Sequence, residues 1–594
     1  MSEPEPDQST SPEWNLDDLF VGQESPELTA SLEEASVKAK GLSDRYNGRI
    51  HELDGNELAK LIQQFERLQD TLGRIISYAQ LLYAADMGNP SVSQFFQTMQ
   101  ERCTDISTNV LFVTLELNRI EEERLSKLMK TPALAEYGPW IRDRRVFRPY
   151  QLSDDVEAIL HEKYVSGRGA WIRLFDETVA GLEFSYNGKT LNSSEAFDLL
   201  SSPDRTVRQG IAEEIARVLR LNIKSLTLIT NTLIKDKEIE DRTRRFPSPI
   251  SSRNLENMVE DKVVEALISS VQQSYPRLSH RYYKIKAQWL GFQMLEYWDR
   301  NAPLPEDDNR LIDWEDAKQT VLSSYYAFST RMGDIGSLFF ENNWIDARVR
   351  PGKTPGAFSH PTVPSVHPYI LLNYQGRTRD VMTLAHELGH GVHQVLSAEQ
   401  GALMADTPLT LAETASVFGE QLTFRAILNA EQDTTRRRIM LAGKVEDMLN
   451  TVVRQVAFCQ FEQRLHELRP KGELSTDVIS DAWMDVQSES LGPKIRLHND
   501  YRVYWSYIPH FIHTPFYVYA YAFGDCLVNA LYGLYQSSFP DFEKKYLGML
   551  SSGGSKRHGE LLKPFGLDAS DPLFWNKGLG VVESLIDELE QEFC

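Results

Sequence analysis

Residues 386–390 read His386-Glu387-Leu-Gly-His390. Four residues make slightly more than one helical turn, so on a helix the two imidazoles leave one face together and can grip a single metal ion. Glu387, one position along, is turned away from that ligand direction and stands where a proton can be handled beside the metal. The chemistry is metal-assisted hydrolysis. Periodicity predicts the helix that this arrangement needs. At about 100° per residue, Val381, Leu384, Ala385, Leu388, Val392 and Val395 gather into an apolar stripe, leaving His386 and His390 opposite and Glu387 on the flank.

A catalytic zinc takes a third protein ligand and keeps a fourth position for water. His393 shares the helix but lies seven residues from His386, about 10 Å along the axis, too far for one tetrahedral ion. A histidine six residues after His390 would complete another common zinc pattern, but that position is Leu396. Glu413 remains. It belongs to Thr410-Leu-Ala-Glu413-Thr-Ala-Ser416-Val-Phe-Gly-Glu420, which follows Thr407-Pro408, a cap and first-turn pair. Glu413, Ser416 and Glu420 share one face of the predicted helix, while Leu409, Leu411, Val417, Phe418 and Leu422 pack. Glu413 is therefore the expected third ligand, and Glu420 the carboxylate that orients a histidine or belongs to a solvated face.

The rest of the chain must position these groups. With 594 residues and 63 Lys plus Arg against 85 Asp plus Glu, the net charge is −22, which repels nucleic acid and anionic membranes. Short basic runs at 142–148, 242–245 and 436–438 lie among acids and read as ion pairs or solvated faces. Cys103, Cys459, Cys526 and Cys594 have no paired spacing, so a disulfide framework is not expected. With no secretory signal and no apolar run of spanning length, the chain reads as cytoplasmic.

The elements read as mainly α with a small β insert. Leu61, Ile62, Phe65, Leu68 and Leu72 form one helical stripe, and Ile75, Ile76, Ala79, Leu82 and Tyr83 form another. Helical spacing returns at Val207, Ile211, Ile215 and Leu219, and closes the chain at Val581, Val582, Leu585 and Leu589. Asn187-Gly188 marks a hairpin. Residues 342–380, rich in Pro and Gly, read as a loop with one or two strands, Tyr369 to Tyr374 the clearest.

Thr383-Leu-Ala-His386-Glu-Leu-Gly-His390-Gly-Val-His393-Gln394 followed by Leu411-Ala-Glu413-Thr-Ala-Ser416 resembles the oligoendopeptidase F group of the thimet-oligopeptidase-like (M3) zinc metallopeptidases. Trp14-Asn-Leu-Asp-Asp-Leu-Phe20, Pro355-Gly356-Ala357-Phe358, His367-Pro-Tyr-Ile-Leu-Leu-Asn-Tyr374, Ile508-Pro-His510-Phe, Pro515-Phe-Tyr517-Val-Tyr519-Ala-Tyr521 and Gly553-Gly-Ser-Lys556 extend the likeness over nearly the whole chain. The resemblance implies a large helical fold with a deep substrate channel, one Zn²⁺ per chain on His386, His390 and Glu413, Glu387 as general base, and endopeptidase action on short unfolded oligopeptides. On this view residues 1–14 are a flexible acidic tail, 15–200 a helical domain covering the channel and 201–594 the catalytic domain, in a monomer or small homo-oligomer.

The same family draws oxyanion donors from a late histidine and tyrosines, which implies His510, Tyr521 and Tyr517 here, with His513 a rival. Thr514-Pro515 is expected to cap and start a helix that places Tyr517 and Tyr521 on one face, Tyr519 opposite and His510 on the loop before it. Aromatic residues at this spacing are also ordinary core. The strand containing His367 and Tyr369 offers an edge to which an extended peptide can add, and Gly356-Ala357 permits close backbone approach. Alternatively both segments pack beneath the metal helix. Two other functions fit the motifs: a peptidyl-dipeptidase or carboxypeptidase on the same scaffold, and a peptide-binding protein without turnover.

Overall fold

The computed structural model describes residues 11–304, 311–354 and 356–592. The first ten residues of the tail expected over 1–14, and Pro355 and Cys594, lie outside them. The chain forms two compact units, each from three segments: Met1–Arg148, Asn309–Ala430 and Leu534–Leu567, and Pro149–Asp308, Glu431–Gly533 and Asp568–Cys594. Both are mainly α. Among the described residues no helix is long and apolar enough to cross a membrane.

In the first unit the helix Gly55–Ala85 starts at a capping box, with the Asp54 carboxylate accepting from the Glu57 amide and Glu57 reaching back. It buries Leu61, Ile62, Phe65, Leu68, Leu72, Ile75 and Ala79. Beyond that point Tyr78 and Leu81 turn inward, and Ile76, Leu82 and Tyr83 are only partly buried. A stripe read over 31 residues drifts, because successive apolar positions do not repeat at a whole number of residues per turn.

The Pro- and Gly-rich stretch holds three short strands, where one or two were expected. Ile345–Asp346 pairs in parallel with Tyr369–Leu371, and Phe358–His360 pairs antiparallel to its other side, with Ser359 opposite Ile370. The additional strand, Ile345–Asp346, is two residues long, too short for alternation to register. The helix Thr378–Ser397 packs on this sheet, and the helices Trp314–Phe328 and Thr330–Glu341 pack on each other.

The second unit contains the 40-residue helix Arg205–Arg244, which buries Ile211, Ile215 and Leu219, and the helix Pro572–Gln591, which buries Val581, Val582, Leu585 and Leu589. The Asn187-Gly188 hairpin forms as expected. Phe184–Tyr186 pairs antiparallel with Lys189–Leu191, and both turn residues have left-handed backbone, φ 50° and 74°. The basic runs are paired with acids: Arg148 with Glu121, Arg244 with Glu157 and Glu240, and Arg437 with Glu588 and Glu592.

Candidate metal centre

His386, Glu387 and His390 lie on the helix Thr378–Ser397, and Glu413 lies on the next, Leu409–Ala430. The first helix buries Val381, Leu384, Ala385, Leu388 and Val392, so the apolar stripe is a real face and the histidines stand off it. The two helices cross closely at Gly389. A Cβ there would lie 2.5 Å from the Ala415 carbonyl oxygen and 2.6 Å from the Ser416 Cα. Only a residue without a side chain lets the backbones approach this far. Three residues before the crossing is His386, and two before it on the partner helix is Glu413.

One oxygen of Glu413 lies 3.3 Å from Nε2 of His386 and 3.5 Å from Nε2 of His390. These are the edge lengths of a tetrahedron whose corners stand about 2.0–2.1 Å from its centre, the ordinary bond length for zinc on nitrogen and oxygen. Among the described residues this is the group of His, Cys, Asp or Glu whose ligand atoms all lie within 4.8 Å of one another. The donor set therefore fits a tetrahedral zinc ion. The remaining ring nitrogens are held from behind. Nδ1 of His386 is 3.3 Å from the Glu420 carboxylate, and the Ala412 backbone carbonyl supports His390. This pattern fixes the tautomer that presents Nε2. Ser416 donates to the Glu413 carboxylate at 2.7 Å.

The charges bear on metal entry. Burial works against a proton on His386, but the Glu420 hydrogen bond and the charges of Glu413 and Glu387 outweigh it and raise its pKa to about 9. Burial holds His390 down at about 4. Glu413 stays ionised: burial opposes this, and His390, His386 and the Ser416 hydroxyl together override it. Glu387, 7 % exposed, is pushed up to about 7 by burial, with His386 and the Ser359 amide opposing. His393 is buried and neutral, with Nε2 3.3 Å from the Thr407 hydroxyl, and is not a ligand.

Several residues that build this centre carry no individual sequence signal. Tyr325, fully buried, donates at 2.5 Å to the carbonyl of Ala385, next to His386. Tyr546 donates at 2.7 Å to the carbonyl of Thr414, next to Glu413. Gln394 accepts from the Ser359 hydroxyl at 2.9 Å and donates to its carbonyl at 3.2 Å, hanging the edge strand on the helix. Gln394 was within reach of helix arithmetic, standing two turns after Glu387 on the same face.

The expected substrate edge needs correction. Tyr369–Leu371 is the central strand, paired on both sides, so no edge is open there. Tyr369 has no exposed surface, and His367 stacks on Trp344 at 3.7 Å while its Nε2 meets the Asp18 carboxylate at 2.9 Å. Tyr369 packs, because the third strand converts its segment from border to interior, whereas His367 lines a cavity of about 480 Å³ together with His390. The accessible backbone near the sheet is that of Gly356 and Ala357, where Gly356 has φ +86° and open space at its Cβ position.

In the second unit, His510 opens the four-residue helix His510–His513, and the next helix begins at Tyr519 rather than at Thr514-Pro515. Phe516 interrupts it. Its backbone is left-handed, φ 60°, and its amide donates to the buried Glu462 carboxyl at 2.8 Å instead of joining a helical ladder. The tyrosines still diverge as expected. The Tyr521 ring lies 5.2 Å from that of Tyr517 and 6.1 Å from that of His510, while Tyr519 is buried and accepts from Asn257. His513 turns away to Asp176 at 2.7 Å.

The sequence profile of peptidase family M3 matches residues 198–581, and that of its oligopeptidase F N-terminal region matches residues 116–184. Oligopeptidase PepF of Bacillus subtilis is 24 % identical, over 97 % of this chain and 87 % of its own. An oligoendopeptidase F homolog of Borreliella burgdorferi is 25 % identical, over 98 % of each. Among solved structures, a putative peptidase from Chlamydophila abortus superposes with a TM-score of 0.89 at 22 % identity, covering 99 % of this chain and all of that one.

Two outcomes are expected of this centre. Metal must expel the proton on His386, so at pH 8 calorimetry in buffers of different protonation heat should count about one proton released. Above pH 9, where His386 has already lost its proton, the count should fall. Apparent metal affinity therefore falls as pH falls. Gly389→Ala should drive the helices apart, weakening metal binding at least tenfold in chelator competition and lowering the Tm of the metal-free protein, although alanine favours a helix by about 1 kcal/mol.

Proposed function

The chain belongs to peptidase family M3 and is a metalloendopeptidase, and on that premise we propose that its metal is zinc, its substrates are short unstructured oligopeptides and its general base is Glu387. The observation that carries this reading is the tetrahedral spacing of two Nε2 atoms and one carboxylate oxygen, with a buried carboxyl beside them.

Held by His386, His390 and Glu413, zinc would polarise a water molecule and the scissile carbonyl. Glu387 then takes the water proton on its carboxylate and passes it to the departing amine nitrogen. A pKa raised toward the working pH suits both halves of that transfer. Glu420 keeps His386 in the tautomer that faces the metal position. His510, Tyr521 and Tyr517 are assigned as hydrogen-bond donors to the oxygen on which negative charge develops. Gly356 and Ala357 are assigned to the substrate backbone, because exposed main chain recognises a peptide without reading its side chains. Tyr369 is left out of that role, and His367 keeps it through the cavity it lines with His390. The reading includes a cytoplasmic location, in keeping with Cys103, Cys459 and Cys526 as buried free thiols.

An internally quenched peptide of about ten residues with an amidated C-terminus provides the test. Internal cuts located by mass spectrometry, abolished by chelator and restored by zinc, are expected. Zinc-loaded protein that makes no cut would return the alternatives of an exopeptidase or a binding protein. Glu387→Gln should lose about 10²–10⁴-fold in kcat while holding stoichiometric zinc; loss of the metal would remove the residue from its assigned role.

A further inference from the structure

The second unit holds a cavity of about 270 Å³ with an aromatic wall that includes Tyr297, Trp298, Phe458 and Tyr501, and the charged side chains lining it are Arg300 and Arg454. No carboxylate lines it. Other buried cations of this unit have their anions: Arg208 lies 2.9 Å from Asp299, and Lys286 is paired with Glu446. The two arginines are different. Arg300 donates to the side-chain oxygen of Asn301, and Arg454 lies over the ring of Phe458, its guanidinium carbon 5.1 Å from the ring centroid. Among the described residues neither has a carboxylate within ion-pair distance. The nearest acid whose charge Arg300 feels, Glu446, is already held by Lys286 and Tyr282.

The two like charges repel in a wall that leaves both arginines only partly buried, and the one further polar side chain that meets Arg300 there is the Tyr501 hydroxyl, not a counter-ion. The shielded N–H groups add to the imbalance. Nε of Arg454 and Nε1 of Trp298 are shielded from solvent and have no acceptor. Both are donors only. A cavity of unmatched donors and positive charge is complementary to an anion that accepts and does not donate. The planar fork of arginine selects a carboxylate, and the aromatic wall selects an apolar stem. The volume is below the roughly 300–1,000 Å³ of a whole small-molecule site, which suits one end of a longer ligand. The cavity also adjoins the segment of His510. Ile508 lines it, and Phe458 touches Phe511 with ring centroids 5.3 Å apart.

We propose that this cavity is a carboxylate subsite that takes the free C-terminal carboxylate of a bound peptide, with Arg300 and Arg454 as its binding residues. The proposal rests on the peptidase reading above, which makes peptides the ligand class.

The test uses the full-length, zinc-loaded Glu387→Gln protein, so that binding is measured without turnover. N-acetyl-Ala-Ala-Phe is titrated as free acid and as carboxamide by calorimetry. The acid should bind at least tenfold more tightly. Arg300→Gln and Arg454→Gln should each reduce that ratio below threefold, and Arg454→Lys should keep part of it, supplying charge without the fork. Equal binding of acid and amide overturns the proposal, as does a preference that survives both glutamine variants at unchanged Tm. Inorganic phosphate that displaces the acid at concentrations below the acid's own Kd would mark a free-anion site and also overturn it. If the glutamine variants do not fold, the acid–amide ratio of the parent protein and the phosphate competition still decide. Failure of the wild-type protein to cut any peptide would remove the peptidase reading while leaving this ratio untouched.

Discussion

A close approach of two helix backbones governs the centre. Where Gly389 faces Ala415 and Ser416, there is no space for a Cβ, and that contact brings a carboxylate from one helix to within 3.5 Å of two histidines on the other. Helix geometry alone supplies the two histidines. It does not supply the third ligand, because nothing local determines how far away the next helix runs. The surrounding packing maintains the crossing. Phe418 meets Tyr546 at 4.5 Å and Phe328 at 4.9 Å beneath the Glu413 helix, while Tyr325 and Tyr546 each take a backbone carbonyl next to a ligand. Rotation of either helix about its axis would break one of these bonds and leave a buried hydroxyl without a partner, which makes the ligand geometry stiff.

Burial has opposite consequences at neighbouring residues of this centre. His386 keeps a proton because three carboxylates surround it, whereas His390, one turn on, is held neutral by burial and His393 by burial with fewer charges in reach. Glu387 and Glu413 divide in the same way. The first is raised by burial, and the second is kept ionised by two histidines and a hydroxyl. One carboxyl is thereby prepared to exchange a proton and the other to remain an anion. Two acids of the same chemical type take different roles because of their neighbours.

The second unit shows what the fold does with charge when no ligand is involved. Asp299 is met by Arg205 and Arg208, and Asp241 by Lys237, each at ordinary ion-pair distances. The pair Arg300 and Arg454 departs from that habit in a cavity whose wall is mostly aromatic. In the same unit Glu462 spends its buried carboxyl on one backbone amide, that of Phe516, and so sets the left-handed residue that separates His510–His513 from the helix carrying Tyr521.

What depends on periods within one element was legible in the residues alone: the metal helix with its apolar stripe, the face shared by Glu413, Ser416 and Glu420, and the Asn187-Gly188 hairpin. These follow from 3.6 residues per turn and from backbone sterics, which act over a few residues. Only the tertiary structure decided what depends on a partner far along the chain. It showed that Tyr369 is interior because a two-residue strand covers its other side. It showed that the late helix starts at Tyr519 because a buried acid claims the Phe516 amide, and that Arg300 and Arg454, 154 positions apart in number, share one wall. Such juxtapositions have no period, so no local pattern announces them.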